Sequence, residues 1–399
     1  KLQISNWDDS LVLINKELIT RGKEKTLAVS GKFTDIETLY SAKSFLKSIG
    51  SNFFECRYDN AQFLEGKRQS YIFNSSIQEV DNADAILLIG TNPRWEASVL
   101  NSRIRKAYIN NDCKIGLIGK KIDLTYKYIH LSENITHIND LLSKNSPFSK
   151  VLQEAKKPIM IIGNSAINLN DGIDLLNACS EIAKIYKISN DDFNGMNVLQ
   201  QDISRVGALD LGFYNKDFDC DFDNKIKKYV NANKPVVFIL GCDEIKHEIL
   251  ENSFVVYIGH HGESSSQFAD IILPSPAYTE KFSTYVNMEG RVLQTSRCYH
   301  PLGEAKEEWK IFRSLSSGFN NELTFNNLSE LRQCLLKEYP YLGEINKLPN
   351  FSKINFGMSK EIKSRNMEYN IKNFYMNDVI SRSSITMAQC TRDILNKVA

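Results

Sequence analysis

The stretch NADAILLIGTNPRWEASVLNSRIRKA, Asn82–Ala107, decides the fold class. Ala85–Ile89 is an unbroken apolar run that stops at Gly90, and Asn92–Pro93 opens a helix directly behind it. A strand apolar on both faces belongs in a parallel sheet covered by helices on either side. Asn92 can cap the helix and Pro93 fits its first position. Leu100, Ile104 and Ala107 recur at helical spacing and supply its buried stripe. Arg103, Arg105 and Lys106 gather towards its C-terminal end, where the helix dipole favours positive charge.

The same strand-then-glycine pattern returns in TLAVSG (Thr26–Gly31), KIGLIG (Lys114–Gly119), PIMIIG (Pro158–Gly163), PVVFILG (Pro235–Gly241) and FVVYIG (Phe254–Gly259). Helical patterns lie between these runs, so the chain reads as a doubly wound α/β protein with more than one parallel sheet. TDIE, Thr34–Glu37, has the spacing of a capping box. After about Glu304 the alternation fades. Leu328–Tyr339 reads as a helix, and Gly343–Asn370 as a polar, irregular segment. Asp378–Val398 reads as a closing helix with Met387, Cys390, Ile394 and Val398 on one face, suited to docking on the body or on a partner.

Totals bound the function. The 399 residues suit two or three domains, and a hydrophobic fraction of 42% with 24% charged residues is ordinary for a globular chain. A formal net charge of +1 argues against a broad nucleic-acid surface. No apolar run approaches the ~20 residues of a membrane helix, so no direct membrane span is expected. KLQISNWDDS has no apolar signal core, and the chain begins without Met, as a processed, trimmed or partial polypeptide would. Of the eight cysteines the closest two, Cys220 and Cys242, are 22 residues apart. Without a C-x-x-C pair, no iron–sulfur or zinc site is expected in this chain alone.

Two regions are candidate sites. In an open parallel sheet, ligands lie beyond the carboxyl ends of the strands, where a helix start attracts anions. Gly90, Thr91 and Asn92 hold such a place, although a tight strand-to-helix turn is the commoner reading of these residues. No G-x-G-x-x-G and no G-K-[ST] loop accompanies them. The second region is GHHGESSSQFADIILPSPAYTEKFSTYVNMEGRVLQT, Gly259–Thr295. His260 and His261 invite a metal, but neighbouring side chains on an extended backbone point to opposite faces, which argues against a shared ion. Glu280, Lys281, Asn287, Glu289 and Arg291 form either a polar pocket wall or a salt-bridged rim. No nucleophilic triad stands out, and no catalytic residue is assigned.

Several segments resemble the family of the large iron–sulfur subunit of respiratory complex I, the NADH:quinone oxidoreductase. They are ADAILLIGTNPRWEASVLNSRIRKA, KIDLTYKYIHL (Lys121–Leu131), EAKKPIMIIGNSA (Glu154–Ala166), MNVLQQDISRVGALDLGF (Met196–Phe213), the Gly259–Thr295 stretch, EEWKIFRSLS (Glu307–Ser316) and NFYMNDVISRSSITMAQC (Asn373–Cys390). The resemblance spans nearly the whole chain and concerns the family's C-terminal, molybdopterin-oxidoreductase-like portion. It implies one α/β domain formed by residues 1–65 and 215–330, a second inserted over residues 66–214, and a partly helical extension over residues 331–399 without a C-terminal β-barrel.

The resemblance also implies how the site has changed. Active molybdopterin relatives offer a metal ligand soon after the first βα unit. Here Cys56 falls on the strand, and Asp59 is a weaker substitute. Where relatives carry Asp-Pro-Arg after the strand equivalent to KIGLIG, this chain has KKIDLT, and Lys is a poor replacement for a bidentate Arg. PVVFILGCDEI lacks a second Asn-Pro turn. The expectation is a vestigial cleft that holds no molybdopterin, with iron–sulfur clusters only in the family's N-terminal portion. The implied role is a structural module of the peripheral arm that docks on the NADH/FMN-binding and iron–sulfur subunits. Its place is the matrix side of the mitochondrial inner membrane or the cytoplasmic face of the bacterial one. The alternative is an active, formate-dehydrogenase-like molybdopterin enzyme, and a weaker third reading is a regulatory nucleotide site.

Overall fold

The central strands of each sheet are short, apolar and fully buried, so helices must cover both of their faces. The computed structural model describes residues 2–218, 221–262, 264–350, 353–360, 362–363, 365–369 and 371–395; Cys220 and Val398 lie outside the described residues. The first sheet contains β1 (Leu27–Ser30) and β2 (Phe53–Glu55) and is completed late in the chain. The second contains β3 (Ala85–Ile89), β4 (Lys114–Ile118), β5 (Ile129–Ser132), β6 (Pro158–Ile162) and β7 (Met196–Val198). β8 (Val236–Leu240), β9 (Phe254–Gly259) and β10 (Ile271–Pro274) complete the first, and β11 (Thr284–Val286) pairs antiparallel with β12 (Val292–Gln294).

The first sheet runs β10-β9-β8-β1-β2 and the second β5-β4-β3-β6-β7, with every pairing parallel. The α/β architecture of two doubly wound parallel sheets is therefore as the sequence predicts, and no barrel occurs among the described residues. Strand alternation feeds two cores per sheet. Ile86 and Leu88 of β3 face one apolar cluster, and Ala85, Leu87 and Ile89 face the other. In β8, Val236, Phe238 and Leu240 are separated in the same way from Val237 and Ile239. Strand order reverses between β1 and β8 in the first sheet and between β3 and β6 in the second. These are the two crevices where such sheets bind ligands.

Helix ends depart from expectation in informative ways. α1 (Trp7–Arg21) is capped by Asn6, and α2 (Ile36–Ser48) by Asp35, whose side chain accepts from Thr38 N. The Thr34–Glu37 capping box does not form. Thr34 Oγ1 donates to the Gly31 and Leu240 carbonyls, and the Glu37 carboxylate turns away to Thr284 and Arg332. A tertiary ion pair thus displaces the local motif. The helix after β3 is broken at Ala97 into α3 (Pro93–Glu96) and α4 (Ser98–Asn110), and Asn92 makes no side-chain cap. Leu100, Ile104 and Ala107 are buried on α4 as expected, and Arg103 and Lys106 share Asp81.

The C-terminal region is helical in pieces. Leu328–Glu338 forms the expected helix before Pro340. The closing helix is instead interrupted: Val379–Arg382 and Ile385–Cys390 each carry their own side-chain cap, from Asp378 and Ser384, and Thr391–Leu395 is a π-helical turn. Two successive caps stop one helix and start another, so the Met387–Cys390–Ile394 stripe is not one continuous face. The irregular segment before it is not a solvated loop, because Ile354, Phe356, Ile362 and Met367 are buried in the core of the second sheet.

Candidate functional site

Both switch points are built from glycines that no other residue could replace without rearrangement. A Cβ on Gly163 would lie 2.4 Å from the Gly90 carbonyl, and one on Gly31 would lie 2.0 Å from the Gly241 carbonyl. Strand ends that approach so closely leave a crevice between them, and the side chains that fill each crevice define what it can hold.

At the second sheet, Gly90 adopts φ +56° and turns the chain into α3. Glu96 folds back on this turn: its carboxylate accepts from Thr91 Oγ1 at 2.8 Å and from Asn92 N at 3.2 Å. The backbone donor that would serve an anionic ligand therefore already holds a carboxylate. Burial pushes the Glu96 carboxyl up to about 7, against the pull of these two hydrogen bonds. Asn92 Oδ1 is buried without a hydrogen-bond partner among the described residues. Above the turn lies the C-terminal segment. A Cβ on Gly90 would be 2.9 Å from Met367 Sδ, and the Tyr369 hydroxyl donates to Lys120 O at 2.9 Å beside Gly119.

At the first sheet, a small crevice between β1 and β8 is lined by Phe33, Gly241, His260, His261, Lys281 and Val379. His260 and His261 do not point to opposite faces: their Nδ1 atoms are 2.7 Å apart, one donating and the other accepting. They lie past the end of β9, where the chain turns and the strand alternation no longer applies. Burial first, then His261 and Lys281, push His260 down to about 4, so it is neutral at physiological pH. Among the described residues no group of three or more metal-ligating side chains forms. Beneath lies a buried ionic cluster. Lys281 Nζ is 2.5 Å from Asp35 Oδ2 and 2.8 Å from Glu308 Oε2.

The remaining predicted residues stand apart from both crevices. Glu280 accepts from Ala277 N in its own loop. Asn287 Oδ1 accepts from Glu289 N and Arg291 N in the β11–β12 turn, and Arg291 donates to Asn346 O. These are loop-closing contacts, so the Gly259–Thr295 stretch supplies a wall and a hairpin rather than one pocket.

Between the carboxyl ends of the two sheets lies a cavity of about 410 Å³, with Lys32, Tyr58, Asp59, Asp202, Ile371 and Asn377 in its wall. Arg205, 2% exposed, binds Asp59 at 2.9 Å and Asp202 at 3.1 Å, while the Tyr58 hydroxyl donates to Asp202 at 2.6 Å. Cys56 does not fall on the strand but just past β2, where burial pushes its thiol up to about 12. Arg205 and Asp202 were not legible as site residues: QQDISR belongs to the Met196–Phe213 segment that carries the resemblance, but nothing in its spacing marks either side chain as functional. On the far wall Lys32 donates to Asn377 O at 2.6 Å and lies 3.4 Å from Glu244.

Known proteins share both the sequence and the fold. Residues 1–318 match the family model of molybdopterin oxidoreductase, and residues 348–390 match that of the C-terminal part of the NADH-ubiquinone oxidoreductase G subunit. The NADH-quinone oxidoreductase G subunit of Rickettsia bellii is 34% identical over 390 residues, 98% of this chain and 56% of that protein. The mitochondrial NADH-ubiquinone oxidoreductase 78 kDa subunit of Candida albicans is 36% identical over 406 residues, 98% of this chain and 55% of that protein. The chain thus spans about half the length of the curated relatives it matches. Acetylene hydratase from Pelobacter acetylenicus has a similar fold, with a TM-score of 0.58 at 14% identity over 87% of this chain and 64% of that one.

Proposed function

The chain belongs to the molybdopterin oxidoreductase family, and from this we propose that it is a structural module of the peripheral arm of respiratory complex I, with no chemistry of its own. The observation that carries the reading is the similarity to large complex I subunits over 98% of the chain. In this reading residues 1–65 and 215–330 form the host domain, residues 66–214 the inserted one and residues 331–399 the extension. The module docks on the NADH/FMN-binding and iron–sulfur subunits, while the assembled complex oxidises NADH, reduces quinone and translocates protons. Iron–sulfur clusters belong to the portion of the relatives that this chain does not span. No described helix is long and apolar enough to cross a membrane, which suits a peripheral place on the matrix or cytoplasmic side.

The reading includes a cofactor-free cleft, and three features support it. A pterin phosphate at Gly90–Asn92 would meet the Glu96 carboxylate already bound there. Asp59, the weaker substitute for a metal ligand, is held by Arg205. Cys56 is 2% exposed and packs in the apolar core of the first sheet rather than standing open to the cleft. These residues do not fit a molybdenum centre.

The test is a native-gel separation of mildly solubilised source membranes, probed for this chain beside an NADH-dehydrogenase activity stain. The reading expects the chain in the very large NADH-oxidising band. A small soluble species outside that band contradicts it.

A further inference from the structure

We propose that residues 365–369 and 371–382 are a strap that binds the cleft in cis and stands at both switch points in place of a cofactor. The proposal rests on the cofactor-free reading of the cleft. One segment visits each crevice in turn: Met367 covers Gly90, Tyr369 closes on the end of β4, Ile371 enters the cavity between the sheets, and Val379 reaches the β1–β8 crevice. Met367, Ile371 and Val379 are 2%, 7% and 6% exposed, so these anchors are inserted rather than laid on the surface.

The chemistry of the contacts is that of a groove that takes a polypeptide. Ile135 N donates to the Arg365 carbonyl at 3.1 Å, Lys32 donates to the Asn377 carbonyl at 2.6 Å, and apolar side chains fill the space between. Main-chain hydrogen bonds with side-chain anchors are how extended peptides are recognised. The strap is tied at its start by Arg365 on Asp171 at 3.0 Å, and near its end Arg382 lies 3.8 Å from Asp243. An independent observation concerns origin. The cleft lies in the part that matches the molybdopterin oxidoreductase model, residues 1–318, whereas the strap lies within residues 348–390, which match the model specific to the complex I relatives. The segment that lines the cleft therefore lies outside the part matched to molybdopterin oxidoreductases and inside the part matched to the complex I relatives.

The experiment inserts a site-specific protease sequence between Gly357 and Met358, which is 88% exposed, into the full chain. After cleavage the fragment from Met358 onward is followed by gel filtration, with circular dichroism reporting the body. The fragment is expected to co-elute with the folded body and to be displaced by excess synthetic peptide of residues 365–382. Met367→Ala is expected to speed its release on the order of 100-fold, since truncating a buried Met removes packing and leaves a void. Lys32→Met is expected to speed release about tenfold through loss of one charge-assisted hydrogen bond. Release of the wild-type fragment from a folded body overturns the proposal, as does retention that neither substitution nor competing peptide alters. Pterin and molybdenum analysis of the uncut chain is read separately. Stoichiometric pterin refutes the cofactor-free reading itself, whereas strap release from pterin-free protein refutes the strap alone.

Discussion

Glu96→Gln should make the chain more stable at alkaline pH and leave it nearly unchanged in acid. The carboxyl titrates near the usual 4.5 when unfolded and at about 7 when folded, because the turn at Gly90 buries it. Below about pH 4.5 both states hold the proton and ionisation contributes nothing. Between about 4.5 and 7 the unfolded state loses its proton first, so stability falls as pH rises through this window. A gap of about 2.5 pH units corresponds to a ceiling of about 3.4 kcal/mol at about 1.36 kcal/mol per unit. Glu96 is only partly buried, so a penalty of about 1–3 kcal/mol above neutral pH is the reasoned magnitude. The amide keeps an acceptor for Thr91 Oγ1 and Asn92 N while removing the charge. Urea unfolding of both proteins at about pH 5 and about pH 8 measures the difference. Equal stabilities at about pH 8, or a mutant that gains only in acid, would refute the burial argument.

Three further outcomes follow from the same geometry. Arg205→Met strands Asp59 and Asp202 and should cost about 3–5 kcal/mol in urea unfolding, with partial recovery when Asp59→Asn and Asp202→Asn are added. In the native chain a thiol reagent should modify exposed Cys298 well before Cys56, which should react only on unfolding, as peptide mass spectrometry of timed samples can show. Gly163→Ala places a methyl 2.4 Å from the Gly90 carbonyl and should destabilise by about 1–3 kcal/mol, read as a lowered Tm; an unchanged Tm would contradict the close approach of the two strand ends.

The sheets were legible because their information is local. Ala85–Ile89 or Val236–Leu240 needs no partner to be read as a doubly buried strand, and the glycine after each marks where it ends. The capping box at Thr34–Glu37 misled for the opposite reason. Glu37 has local and distant partners, and Thr284 with Arg332, far away in sequence, prevail. The histidine pair failed on a boundary, since alternation applies on a strand and not past its end. The long-range parts of the cleft were unreadable for the same physical reason. Arg205 matters only because the fold brings Asp59 beside it, and Met367 only because the chain returns to Gly90 from far downstream. A segment without periodicity looked like a loop because it packs through scattered anchors rather than one face.

A cofactor-free module within an NADH-oxidising assembly must co-purify with that activity and without molybdenum. Purifying the chain from gently solubilised source membranes allows NADH:quinone reductase activity and molybdenum content to be measured in the same preparation. The expected result is NADH:quinone reductase activity with molybdenum far below one atom per chain. One molybdenum per chain in a preparation that does not oxidise NADH would contradict both the cofactor-free cleft and the place in the assembly.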